Sequence, residues 1–396
     1  MADWMKSFQE YDLRGAENNL YEVYADARAD GGVGAVGEAL AAFDFKTVKT
    51  LLAHPNLRPL IVDRSVRVAP YVKDRLDEHI LNRTGGDHVR LRRLVSREFT
   101  PVAVARHEAS MIAVIAELAA SLPVDREFDF MAEFANRLPV MVICDILGMP
   151  RNDGEALVDA VHRSGKFFDK ARAEENMPEV ESGYRDLATY FEGFFSADLA
   201  TMQDGLLKNL RLVEQDGDRL THQELIMWAQ LLFRGGLGNT RHQVGALIQI
   251  LASRPDEWAR IRENPELAIR AVEEAMRLEP AVHIILRQVV EELTLDGAAI
   301  PEGTPVMCVT ASANRDETVF ENASTFDVGR DPAPGHLLFG GGPHLCPGNL
   351  LVKSEVALAL QDLTKRFSTI EIAGEPVMRP ALEVNGPITL PIRLAR

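Results

Sequence analysis

The stretch HLLFGGGPHLCPGNLLVKSE, His336 to Glu355, sets the last of three cysteines among glycines, directly ahead of an apolar run. Gly340, Gly341 and Gly342 lower steric bulk and Pro343 fixes the turn, so backbone amides can approach the Cys346 sulfur and tune it by hydrogen bonding. A helix beginning near Gly348 turns its positive end toward that sulfur and favours thiolate over thiol. The pattern suits an anionic sulfur held rigidly at a surface it must touch.

Outward from that turn, composition sets the limits. A chain of 396 residues with 46% apolar content can build one large core or two fused ones, and size alone does not demand independent domains. Lys and Arg total 43 against 59 for Asp and Glu, and the formal charge of -16 opposes nonspecific binding to nucleic acid or anionic membrane. Cys144, Cys308 and Cys346 are far apart, odd in number and without a CxxC pair, which points to a reducing compartment. The start MADWMKSFQEYDLRG is polar and lacks the apolar core of a signal peptide, and no uncharged apolar run reaches membrane-spanning length. A cytoplasmic protein is expected.

Along the chain, the first hundred residues are the least legible: AVGEALAAFDF and VKTLLAHP fit strand or helix equally, and Gly85 with Gly86 reads as the end of a loop. From Pro101 the pattern is helical, through AVARHEASMIAVIAELAASL, FDFMAEFANRLPVMVICDILG and YRDLATYFEGFFSADLATM. LTHQELIMWAQLLFRGGLGNTRHQVGALIQILAS opens on a capping box, Thr221 with Glu224, and predicts a central helix well beyond the usual length. Gly235, Gly236, Gly238 and Asn239 interrupt its middle, where each glycine costs about 0.8–1 kcal/mol relative to Ala. That cluster marks a bend, a close helix contact, or a flat ligand lying against the backbone. PDEWARIRENPELAIRAVEEAMRLEP reads as two helices divided near Asn264, and RQVVEELTLDGAAIPEGTPVMCVTASANRD as small strands with a hairpin at Pro301 and Gly303. NRDETVFENASTFDVGRDPAPG is a long unpatterned loop, a length that is usually functional. A buried helix after Cys346 and short strands about Gly386 and Pro387 complete a mainly α chain with small β-sheets, residues 1–396 in one compact domain.

Taken alone, Cys346 admits four readings: a structural cysteine, a nucleophile with His344 nearby, one ligand of a zinc site, or an axial thiolate to haem iron. FGGGPHLCPG, Phe339 to Gly348, resembles the cysteine-ligand signature of the cytochromes P450. EEAMR resembles the ExxR pair of that family at Glu274 and Arg277, and ANRD at Ala313 to Asp316 and FDVGR at Phe326 to Arg330 follow in the same order. The resemblance runs from about DHVRLRRLVSREFTP to the end, and residues 1–84 match least.

The resemblance implies the cytochrome P450 fold, a long central helix across the haem, and haem b with Cys346 as its axial thiolate. It implies that Glu274, Arg277 and Arg330 form a buried network, that Phe339 packs beside the sulfur, and that His88, Arg92, Arg287 and His344 serve the haem propionates. Read from the residues alone, Glu274 and Arg277 could equally be a surface pair, and Arg90 and Arg93 a solvated basic face. Arg93, Arg97 and Lys353 would form a proximal basic patch for an acidic ferredoxin or flavodoxin-type electron donor. Val282, Ile284 and Ile285, with Pro387, Ile388 and Thr389, resemble substrate-contact segments.

The distal helix departs from the family pattern of an acid followed by Thr. Gly238 stands where the acid is expected, Asn239 at the alcohol, and Thr240 comes one residue late. Gly238 cannot relay a proton, whereas Asn239 offers amide groups that can hold water. Arg234, four residues earlier, and Gly235 fall on or near the haem-facing side, and Arg234 either pairs with a protein carboxylate or points away from the pocket, or it reads a carboxylate, carbonyl or amide on a small-molecule substrate. The resemblance therefore implies a monooxygenase of secondary-metabolism type. Oxidative coupling or desaturation, a peroxide-driven peroxygenase, a non-haem thiol enzyme and a haem-thiolate sensor are its alternatives.

Overall fold

The computed structural model describes residues 5, 20–60, 67–83, 85–168, 172–215, 220–331, 333–379 and 384–396. Most of the polar opening stretch and residues 380–383 of the tail lie outside these. The chain is mainly helical with small sheets, and among the described residues no helix is long and apolar enough to cross a membrane. It divides into two compact units whose sequences interleave: residues 1–60, 123–131 and 242–396, and residues 61–122 and 132–241.

The first unit opens with α1 (Leu20–Ala29), β1 (Val33–Val36), β2 (Ala39–Ala42), α2 (Phe45–Ala53) and β3 (Leu57–Pro59). The second contributes α3 (Pro70–Glu78), α4 (Gly85–Ser96) and α5 (Pro101–Ala120). After β4 (Glu127–Asp129), which belongs to the first unit, come α6 (Leu138–Leu147), α7 (Arg151–Gly165), α8 (Ala173–Ser196) and α9 (Leu206–Gln215). The long α10 (His222–Ala252) leads back into the first unit. There follow α11 (Pro255–Glu263), α12 (Ala268–Leu278), β5 (Ile284–Val289), β6 (Leu293–Leu295), β7 (Ala298–Ile300), β8 (Pro305–Val309) and α13 (Thr310–Ala313). The chain closes with α14 (Asn349–Arg366), β9 (Thr369–Ile372), β10 (Val377–Met378), β11 (Pro387–Thr389) and β12 (Pro391–Ala395).

Among the described residues all strands lie in the first unit, in a five-stranded sheet of order β1-β2-β8-β5-β3, a three-stranded sheet β4-β12-β9 and two two-stranded sheets, β6-β7 and β10-β11. Within the large sheet β2 and β8 run parallel and the other pairs antiparallel. The early runs resolve as a hairpin, β1 with β2, and a helix that Asp44 caps by accepting from the Thr47 N–H. Gly85 opens α4 rather than closing a loop. FDFMAEFANRLPVMVICDILG is not one α-helix, because a strand and a π-helical turn at Met131–Ala135 precede α6. The tight hairpin turn falls at Asp296 and Gly297, both at positive φ, and the Pro301–Gly303 turn instead leads into β8. Thr310–Ala313, read as strand, is a helical turn.

The capping box of α10 forms as the sequence predicts: the Thr221 N–H donates to Glu224 Oε2 at 2.9 Å, and the Glu224 N–H to Thr221 Oγ1 at 3.2 Å. Of the mid-helix glycines, Gly236 serves close packing, since a Cβ there would lie 3.1 Å from Ile143 on α6. A Cβ on Gly235 or Gly238 would meet open space.

In the first unit, the Nδ1 of buried His283 and the Tyr24 hydroxyl share a hydrogen bond of 3.2 Å. Burial first, and the charge of Arg315 second, push this histidine down to about 3. Between that value and the ordinary 6.5 the unfolded chain binds a proton that the folded one does not, so stability falls as the pH drops through this window. Between about pH 6.5 and 5 this site alone is expected to cost about 2 kcal/mol. Denaturant titrations of wild type and His283→Gln at the two pH values check it: the substitution should remove that share of the acid sensitivity.

Candidate functional site

In the first unit the segment from Phe339 to Cys346 closes on itself. The Cys346 N–H donates to the Phe339 carbonyl at 2.9 Å, and the Gly340 N–H to Leu337 O at 3.0 Å. Gly340 (φ 76°) and Gly342 (φ 62°) take the left-handed conformation that makes this turn. A Cβ on Gly342 would come within 2.8 Å of Ala53, so the turn lies directly on the end of α2. Asn349 at the start of α14 fastens the other side, donating from Nδ2 to Cys346 O at 2.7 Å. Cys346 is half-buried, whereas Cys144 and Cys308 are fully buried and burial pushes both thiols up to about 12. Those two are inert thiols, and the half-buried one is the candidate ligand.

Beside this turn lies Arg287 on β5, with Nη2 about 3.9 Å from where a Gly340 Cβ would stand. It is 3% exposed, and among the described residues its one side-chain hydrogen bond runs from Nη1 to the Leu286 carbonyl at 3.1 Å. Among the described residues no carboxylate pairs with it, and burial lowers its pKa. A buried cation left in this state costs several kcal/mol, which fits a site built for an anionic ligand such as the rim of haem. Arg287→Leu is therefore expected to stabilise the ligand-free protein, by about 1–4 kcal/mol, while loosening its hold on haem. Thermal melts without haem and the rate of haem loss to an acceptor protein check the two halves separately.

The loop from Asn314 to Arg330, unpatterned in sequence, is held by α12. Glu274 and Arg277 are 4% and 3% exposed, not a surface pair. Arg277 grips Glu274 with two bonds of 2.8 Å and donates to the carbonyls of Asn314 (2.8 Å), Ala323 (2.6 Å) and Thr325 (3.1 Å). Glu274 also accepts from Arg330 Nε at 2.9 Å and from the Asp327 N–H at 3.1 Å. Asn314 then accepts the Leu337 N–H at its Oδ1, 2.8 Å away, linking the network to the cysteine turn. Phe339 is half-buried, with Lys353 Nζ 5.4 Å from its ring. Lys353 pairs with Glu273 at 2.7 Å, and although burial raises that carboxyl, the bonds from His336 and Lys353 outweigh it and hold it at about 2.

In the second unit His88 and Arg92 share one side of α4, buried and half-buried respectively. Burial first and the Arg92 charge second keep His88 below its ordinary value, hence neutral near pH 7. Arg90 is not a simple solvated charge, since it pairs with Glu224 at 2.5 Å and Asp87 at 3.2 Å. On α10, Met227, Gln230, Leu231 and Arg234 line a cavity of about 20 Å³ with Arg75, Glu78, His79 and Tyr184. The stripe continues to Gly238, with exposed Asn239 at its edge. Thr240 does not join them: it is 1% exposed, a hundred degrees further round the helix, and so lies in the protein interior.

Among the wall segments, Val282 is half-buried and lends its carbonyl to Thr310 at 3.0 Å. Strand alternation sends Ile284 and Ile285 to opposite faces. Ile284 is buried in the cluster with Tyr24, Phe43 and Val309, and Ile285 lies next to Gly340. Ile388 on β11 is 47% exposed. Sequence reading missed His79, Tyr184 and Gln230. Only Gln230 carried a signal, a polar residue one turn before Arg234 on the same stripe.

Comparison with known proteins agrees with this geometry. Residues 195–387 match the family model for cytochrome P450. The chain is 31% identical over 323 residues to a luteothin monooxygenase of Streptomyces thioluteus, covering 81% of this chain and 79% of that one. It is 33% identical over 292 residues to the cyclomarin C epoxidase CymV of Salinispora arenicola, covering 73% of each. Among solved structures it resembles CxnD, a cytochrome P450 for C–S bond formation in chuangxinmycin biosynthesis, with TM-score 0.85, 25% identity and 98% of both chains covered.

Proposed function

Since this chain belongs to the cytochrome P450 family, and is an enzyme of monooxygenase type, we propose that it inserts oxygen into a small, partly apolar organic molecule carrying an acceptor group read by Arg234. The observation that carries the reading is the closed turn around half-buried Cys346 with the unneutralised cation of Arg287 beside it. When bound through Cys346, haem supplies the capacity to activate dioxygen. The chain's own residues hold, orient and exclude. Arg287, His344, His88 and Arg92 would receive the propionates, and Phe339 with the network of Glu274, Arg277 and Arg330 keeps the cysteine turn in place. On α10 the Asn239 amide would hold water that carries protons where Gly238 cannot. Val282, Ile285, Gly235 and Ile388 serve as substrate contacts. Electrons would come from an acidic ferredoxin or flavodoxin-type donor attracted by Arg93 and Arg97, in a cytoplasmic setting.

The missing acid at Gly238 favours a second reading, oxidative coupling or desaturation, and a relative of similar fold is named for C–S bond formation. Turnover under isotopically labelled dioxygen with a ferredoxin and its reductase separates the two. One labelled atom in the product supports insertion. A desaturated or coupled product without label would overturn it, and activity with peroxide alone would make the enzyme a peroxygenase.

A further inference from the structure

Arg234 is half-buried, with its guanidinium carbon 4.4 Å from the centre of the Tyr184 ring. Among the described residues it makes no hydrogen bond and no ion pair. The ring covers one face of the guanidinium, which leaves the in-plane N–H edge for a planar acceptor. Gln230, one turn earlier, is 6% exposed, and among the described residues its amide is likewise without a hydrogen-bond partner. His79 is half-buried. Its Nδ1 accepts the Leu81 N–H at 3.2 Å, which places the proton of the neutral ring on Nε2. Burial, with the Arg234 charge adding to it, pushes His79 down to about 3, so it stays a neutral donor. Arg75 and Glu78 pair at 3.1 Å and cancel each other, leaving one positive charge in the lining.

Size and charge decide what this cup takes. A cavity of about 20 Å³ exceeds the roughly 10–15 Å³ that one water needs, so it accepts the end of a molecule rather than a whole one. A carbonyl or amide would satisfy Gln230 and His79 but leave the half-buried Arg234 without a counter-charge. A phosphate would bring a second charge that the single cation of the lining leaves uncompensated. A carboxylate matches the single charge, the planar edge and the volume. The rest of the ligand has its way prepared: Gly238 stands four residues on, roughly 6 Å along the axis, and positions 235 and 238 both face open space.

We propose that Arg234, Gln230, His79 and Tyr184 form a specificity site for the carboxylate of the substrate, with the carbon to be oxidised lying toward Gly238 and Asn239. This rests on the oxygenase reading above, and narrows its acceptor group to an acid. The test is calorimetric binding to the haem-loaded enzyme of octanoate, 6-phenylhexanoate and indole-3-propionate, each against its methyl ester. At least one acid is expected to bind roughly tenfold to hundredfold more tightly than its ester. Arg234→Gln and Gln230→Leu should each erase most of that preference, while Arg234→Lys restores part of it and ester binding hardly moves. Melting curves of the variants show that they fold. The proposal fails if no acid outbinds its ester, if none of the acids binds, or if the preference survives Arg234→Gln. Retention of the haem-thiolate spectrum in those cases leaves the oxygenase reading standing, whereas a protein that takes up no haem sinks that reading itself.

Discussion

A Cys346→Ser variant is expected to fold and yet lose turnover by roughly a thousandfold or more, together with the far-red-shifted band of the reduced carbon monoxide form. Folding should survive because the turn is closed by backbone and by Asn349: the Cys346 N–H bond to Phe339 and the Asn349 bond to Cys346 O do not use the sulfur. Chemistry should not survive, because a serine hydroxyl remains protonated at neutral pH where a thiol lies within about two units of ionising. Neither remaining thiol can substitute, since burial holds Cys144 and Cys308 protonated. Wild-type-like melting with a lost thiolate band is the expected pair of results. An unchanged band would mean that another group holds the iron.

Arg277→Ala is expected to destabilise the protein by about 3–5 kcal/mol, a large part of the usual 5–15 kcal/mol total. Arg277 makes five hydrogen bonds at 3% exposure, two to Glu274 and three to carbonyls of the loop. Its removal strands a buried carboxylate with the partly exposed Arg330 as its remaining cation. The damage should therefore be concentrated between Asn314 and Arg330, where amide hydrogen exchange should accelerate first. The double variant Glu274→Ala, Arg277→Ala should cost less than the two single costs added together, because no buried carboxylate is then stranded and only the partly exposed Arg330 loses its partner. A loss below about 1 kcal/mol for the single variant would show that the loop is held by something else.

The cysteine turn was legible because its chemistry is local: glycines at left-handed positions, a helix start and a thiol lie within a dozen residues. The α10 capping box was legible for the same reason. The early strands were not, since β2 owes its state to pairing with β8, more than two hundred residues later, and a run such as Ala39–Ala42 carries no periodicity of its own. The role of Gly236 against that of Gly235 and Gly238 depends on Ile143 standing over one and nothing over the others. Arg234 was found from its place on the helix. Tyr184 and His79, which give it a setting, arrive from α8 and from the end of α3 without any shared spacing.

The interleaving of the two units fixes an order of events during synthesis. The helical unit has its whole sequence by residue 241, whereas β2 and β3 wait for β8 and β5. At about 5–20 residues per second, a nascent chain leaving the ribosome carries those early strands with unsatisfied edges for tens of seconds. Residues 33–59 are then the segment where a trigger-type chaperone has most to protect.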